Sequence, residues 1–190
     1  MPTENSTPRP RLAASTAHIA LLAAVAVVLL AADQFIKQYV VNHMVEGDHF
    51  NLLGELVQIH FVRNPGAAFS MASGMTWIFT IIAAVVAVFI IVNARRIRST
   101  LWAIVLGLVL GGTLGNLTDR IFREPKLFEG HVIDYISTPW MMPAVYNLAD
   151  MAIVGGMIAV TLMTLFDIGF DGKRGASNPA QHANEAEANE

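Results

Sequence analysis

At 190 residues the chain is long enough for one domain and too short for two. It is 54% hydrophobic and only 14% charged, which excludes an ordinary soluble domain and points to a membrane. Without cysteine it has no disulfide, thiol nucleophile or thiolate metal site, and a net charge of -3 gives no sign of nucleic-acid binding. Residues 1–13, with Pro2, Pro8, Pro10, Arg9 and Arg11, read as a disordered cytoplasmic tail. Ala17 to Ala32 is apolar apart from His18. A basic start and small residues at its end mimic a cleaved signal peptide. Helical character continues to Val41, however, and more spans follow, so this is read as the first transmembrane helix. Residues 42–75 form an outward, aqueous segment. In it Val57, Ile59 and Phe61 alternate with Gln58 and His60, a weak strand signal, before a turn at Asn64-Pro65-Gly66.

Trp77 to Asn93 is the second span, with Trp77 suited to the interface. Leu101 to Leu117 is the third and Leu148 to Phe166 the fourth, separated by a loop from Asp119 to Asn147. Gly107, Gly111 and Gly115 lie four apart, giving a smooth stripe for close helix packing. Gly155 and Ala159 offer a similar surface on the fourth span. Residues 169–190 are polar and aperiodic and read as a second disordered tail, leaving 14–168 as the membrane domain. Arg95, Arg96 and Arg98 crowd one tight loop, and basic loops stay inside. Both termini are then expected in the cytoplasm. The expected fold is an all-α membrane protein of four transmembrane helices with a small β-containing outward segment.

Polar residues gather at one end of these spans: Asp33 and Lys37, Asn116, Asp119 and Arg120, and Asn147 and Asp150. Asn64 and Asp134 sit in the outward connections. Each has an ordinary structural explanation. Asp33 and Lys37 are spaced for a helix ion pair. Asn147 and Asp150 fit a helix cap. Asn116 and Asp119 can satisfy free backbone groups at a helix end. Arg120 can reach toward headgroups, and Asn64 suits a turn. Together, at one depth, they describe a polar pocket at the outer membrane surface. Carboxylates at membrane depth are functional-site candidates, and a converging pair suggests acid–base chemistry. His131 beside Asp134 could be a metal ligand, but no histidine pair has ligand spacing. Acids in a bundle also mark ion pathways, although transporters place them near the midplane, which is apolar in all these spans.

The pieces also resemble a known family in its own order. They are Asp33-Gln34-Phe35-Ile36-Lys37, Arg63-Asn64-Pro65-Gly66-Ala67-Ala68-Phe69-Ser70, Gly111 to Arg120, Gly130-His131-Val132-Ile133-Asp134-Tyr135, and Tyr146-Asn147-Leu148-Ala149-Asp150. The chain resembles the bacterial lipoprotein signal peptidases, or type II signal peptidases, over roughly residues 14–168. The resemblance implies a multi-pass aspartyl endopeptidase of the bacterial cytoplasmic membrane. It would remove signal peptides from prolipoproteins carrying a diacylglyceryl group, cutting just before the lipidated cysteine. Carried over by motif, Asp134 and Asp150 are the catalytic pair. Asn64, Asn116, Arg120 and Asn147 position substrate or support the pair, and Asp33 matters for stability, with Lys37 and Asp119 beside them. Tyr135 and Tyr146 stand where phenylalanine is usual. The expected partners are prolipoprotein substrates and membrane lipid, with a monomeric chain and neither cofactor nor metal.

Overall fold

The computed structural model describes residues 11–66 and 76–174. The motif residues Ala67 to Ser70 and most of the two expected tails lie outside the described residues. Helix α1 runs Arg11–His43, α2 Thr76–Asn93, α3 Thr100–Phe122 and α4 Leu148–Leu165. All are long and apolar enough to cross a membrane. Strands β1 (His49–Leu53) and β2 (Val57–Asn64) follow α1, and β3 (Val132–Thr138) and β4 (Met142–Tyr146) join α3 to α4.

Helix α3 is the centre of the bundle: 67% of its span is buried, against 17–22% for the other three. Its glycines explain why. A Cβ on Gly107 would lie 2.9 Å from the Leu22 carbonyl oxygen of α1, and one on Gly111 would lie 2.7 Å from that of Ala26. Gly112 faces the other way, onto Ala149 and Ile153 of α4. The stripe therefore does the packing its spacing suggests. On α4 the contact residue is Gly156, set against Val109, whereas Gly155 has open space around it. Of the expected Gly155–Ala159 surface, Ala159 packs against the core, while Gly156 takes the place of Gly155. Gly111→Val should force α1 and α3 apart against backbone atoms that cannot yield. We expect a loss of about 1–3 kcal/mol, the usual range for overpacking, measured by thermal unfolding in detergent.

The outward segment holds more β-structure than the weak signal in β2 indicates. All pairings in the sheet are antiparallel, in the order β1-β2-β3-β4. The stretch expected as a plain loop supplies β3 and β4. Strand β3 is buried along nearly its whole length, so it shows no polar alternation to betray it. One sheet face packs on the outer end of α1: Phe61, Ile133 and Tyr135 close over Val40, with Ile36 and Met44 at the edge. Between α3 and β3 the chain folds back on the helix end. Gly130 N–H donates to Arg120 O at 2.9 Å, and His131 N–H to Glu124 O at 2.9 Å. A side chain on Gly130 would strike the carbonyls of Asp119 and Arg123, so this return requires glycine.

Residues 166–174, partly assigned to the tail from sequence, are packed at the opposite end of the bundle. Trp102 Nε1–H donates to Ile168 O at 3.1 Å, Phe170 lies against the Trp102 ring, and Arg98 N–H donates to Phe170 O.

Candidate active site

The site is assembled at the outer ends of α1, α3 and α4 and closed by β2 and β3. Asp134 projects from β3, paired in register with Val62. Asp150 is the third residue of α4, where Asn147 caps the helix. Asn147 Oδ1 accepts from Asp150 N–H at 3.0 Å, and Asp150 Oδ2 accepts from Asn147 N–H at 3.2 Å. This capping box is what the local sequence favours on its own. It also turns the second Asp150 oxygen toward the pocket, where Asn116 Nδ2 donates to Oδ1 at 2.6 Å.

Every oxygen of both carboxylates accepts an N–H. Asp134 Oδ1 receives Asn147 Nδ2 at 2.6 Å, and its Oδ2 receives Asn64 Nδ2 at 2.8 Å. The three amides cannot turn over, because each holds a second bond. Asn64 Oδ1 accepts Gly66 N–H at 2.8 Å, in a turn whose Gly66 has φ +96. Asn147 Oδ1 is held by the cap. Asn116 Oδ1 accepts Lys37 Nζ at 2.8 Å and Asn147 Nδ2 at 3.1 Å. Donors are therefore presented to both acids and acceptors to the scaffold.

Lys37 is fully buried, as are Asp33 and Asp119. Its ammonium meets Asp119 Oδ2 at 2.7 Å, Asp33 Oδ2 at 2.9 Å and Asn116, so its three protons are all used. Asp33 Oδ1 in turn accepts Ala149 N–H of α4 at 3.1 Å, and Asp119 Oδ2 accepts Ile133 N–H of β3 at 3.3 Å. Asp119 Oδ1 is paired with Arg123 Nε at 2.5 Å. One knot of charge thus ties α1 to α3, α4 and β3.

Burial, followed by the nearby charge of Asp150, pushes the Asp134 carboxyl up to about 7, against the amide bonds from Asn64 and Asn147 and the more distant Lys37. Burial pushes the Tyr135 hydroxyl up to about 12. Its oxygen accepts Leu148 N–H at 3.3 Å, another free donor of the α4 first turn, which phenylalanine could not satisfy.

Arg120 stands apart from these bonds. Its Nη1 donates to Asn116 O at 3.2 Å, its guanidinium lies 6.0 Å from the Phe79 ring centre, and its Nε is buried with no hydrogen-bond partner among the described residues. It lies with Asn116 at the polar end of a cavity of about 260 Å³ that continues between Val86, Val109 and Met157. Asn64, Asn116, Asn147, Asp134 and Asp150 are thus brought into one bonded cluster, Asp33, Lys37 and Asp119 join it through Asn116, and Arg120 lines its edge. Gln34 and Arg123 belong to the same network without having been singled out from sequence. Gln34 Nε2 donates to Gly115 O at 3.0 Å and reaches both Asp33 and Asp119 at 3.2 Å. Arg123 carried a signal, its spacing of four from Asp119 on one helix.

Four helices long and apolar enough to span a membrane, with buried carboxylates and amides bonded together at one end, define a multi-span membrane protein with one polar site. A family model described as signal peptidase (SPase) II matches residues 25–166. The chain belongs to that family, and it is a membrane protease. A lipoprotein signal peptidase of Leifsonia xyli is 52% identical over 164 residues, covering 86% of this chain and 76% of the relative. That of Rhodococcus jostii is 46% identical, covering 81% and 77%. That of Mycobacterium tuberculosis strain H37Rv is 42% identical, covering 85% and 79%. A solved structure described as a bacterial membrane enzyme superposes with a TM-score of 0.67 at 25% identity, covering 80% of this chain and 92% of that one. A second, at 26% identity, gives 0.66 and covers 75% and 91%.

Proposed function

We propose that the chain is an aspartyl endopeptidase that removes signal peptides from diacylglyceryl-modified prolipoproteins, cutting just before the lipidated cysteine. The relatives named as lipoprotein signal peptidases support the substrate class. The mechanism rests above all on one observation: two carboxylates whose four oxygens are all held by N–H groups. Asp150 is the base. Its two N–H bonds stand in for the solvation an anion loses on leaving water. Asp134, pushed up to about 7, is the acid. Asp150 takes a proton from water while the water oxygen bonds to the scissile carbonyl carbon. Asp134 gives its proton to the carbonyl oxygen, forming a gem-diol. On collapse Asp134 takes a hydroxyl proton back, and Asp150 passes its own to the leaving nitrogen as the C–N bond breaks. The products are a carboxylate-terminated signal peptide and a free amine on the lipidated cysteine.

The cavity between α2, α3 and α4 suits the lipid. Its apolar length takes acyl chains, and Arg120 Nε, unpaired among the described residues, takes a carbonyl at the polar end. Residues 14–168 form the protease body, with the tails 1–13 and 169–190 outside the chemistry and the chain acting as a monomer in the cytoplasmic membrane. Both termini face the cytoplasm, so a cysteine at exposed position 96 should resist an impermeant thiol reagent in intact cells, while one at position 48 labels. The opposite pattern reverses the topology.

Asn64 tests the acid. Its amide favours the Asp134 anion, so Asn64→Ala raises the carboxyl further. Cleavage should decline as pH rises through about 7 in the parent, and that alkaline limb should move to higher pH in the variant. The sign for stability follows. Folded Asp134 keeps its proton above the ordinary 3.8, so between about 4 and 7 the folded chain binds more protons and its stability falls as pH rises. An unchanged alkaline limb in Asn64→Ala would assign the titration to another group.

A further inference from the structure

The two hairpin turns of the outward sheet lie side by side and are joined by one bond, Trp140 Nε1–H donating to Leu56 O at 2.8 Å. Leu52, Leu53 and Leu56 at the β1–β2 turn and Trp140 and Met141 at the β3–β4 turn are all more than half exposed, Trp140 most of all at 67%. Glu55 is the one charged residue in either turn. So much adjoining apolar surface marks an interaction site.

We propose that this joined turn surface is seated in the outer leaflet of the bilayer that the helices cross. The depth of the sheet supports it. Helix α4 has 18 residues, so it is about 27 Å long, no more than the roughly 30 Å of hydrocarbon it must span. Only Asn147 separates the start of α4 from the end of β4. The sheet therefore begins at the hydrocarbon boundary rather than above it, and the β3–β4 turn is no further from that boundary than the five residues of β4, about 17 Å. The chemistry agrees. The indole N–H is already satisfied by Leu56 O, so burying the ring costs no hydrogen bond. Tryptophan beside leucine and methionine is also what the membrane interface selects. The contact would hold β3, and Asp134 with it, at the level where a membrane-borne peptide emerges from lipid.

Trp140 reports on this directly. The chain carries Trp77→Phe and Trp102→Phe and is reconstituted in phosphatidylcholine vesicles. Trp140 emission should then be blue-shifted from that of an exposed indole and quenched several-fold by lipids brominated on the acyl chains. Emission like that of free tryptophan, without quenching, overturns the proposal. So does a blue shift that bromine does not quench and that grows with the protein-to-lipid ratio, because a second copy would then cover the turns. A spin label on a cysteine placed at position 53 needs no tryptophan exchange. It should collide more often with dissolved oxygen than with a water-soluble nickel chelate, and the reverse order overturns the proposal as well.

Discussion

Asp134→Asn and Asp150→Asn should each reduce cleavage of a lipidated prolipoprotein by at least about 10³-fold, in the upper range for a positioned acid or base. Asparagine keeps the shape but neither ionises nor delivers a proton. It also brings an NH₂ where an N–H already points, so at least one of the four held oxygens is lost. The double variant should be little worse than either single one, since groups that act as a unit are strongly non-additive. All three proteins should remain folded and inserted, because the helices and the Lys37 knot are untouched. The measurement is accumulation of lipid-modified, uncut substrate beside the melting curve of each variant. Near-normal cleavage by Asp134→Asn, with complete loss in Asp119→Asn, would mean that the wrong acids are paired.

The largest stability effect belongs to Lys37. Among the described residues, Lys37→Met leaves Asp33 with no cation and Asp119 with Arg123 alone. Breaking a buried pair in this way costs about 3–5 kcal/mol. Adding Asp33→Asn should recover part of the loss. The amide retains an acceptor for Ala149 N–H, while Asp119 keeps Arg123. The pair would then be more stable than Lys37→Met alone, a coupling that only interacting residues show. Additive losses in a detergent melt would show that the ammonium and the carboxylates do not act together. Neither protein should cleave normally, because Asn116 loses the shorter of the two bonds that fix its amide toward Asp150.

The helices and the polar level were legible because lipid imposes long apolar runs, and a few polar residues stand out against them. The Asn147 cap was legible for a similar reason, since Asn and Asp at that spacing have a local effect wherever they occur. The sheet was not. Strand β1 is exposed along its length, β3 is buried along almost all of its own, and neither alternates. Asp134, Ser137 and Thr138 are also buried polar groups on β3, so even its hydrophobicity is interrupted. Gln34 sat inside a recognised motif, yet its part depends on α3 coming within reach of α1, which no local pattern encodes.

The Lys37 knot also divides the bundle, because it joins three of the four helices. Helices α1, α3 and α4 are cross-linked through it at their outer ends, and α4 is held again at its far end by Trp102 and Ile168. Among the described residues, helix α2 meets the outer site at the rim, through Thr76 to Pro65 O, Thr80 to Phe128 O, and Phe79 beneath Arg120. The cavity that ends at Arg120 thus lies between two helices tied into the knot, α3 and α4, and one, α2, that meets it at the rim.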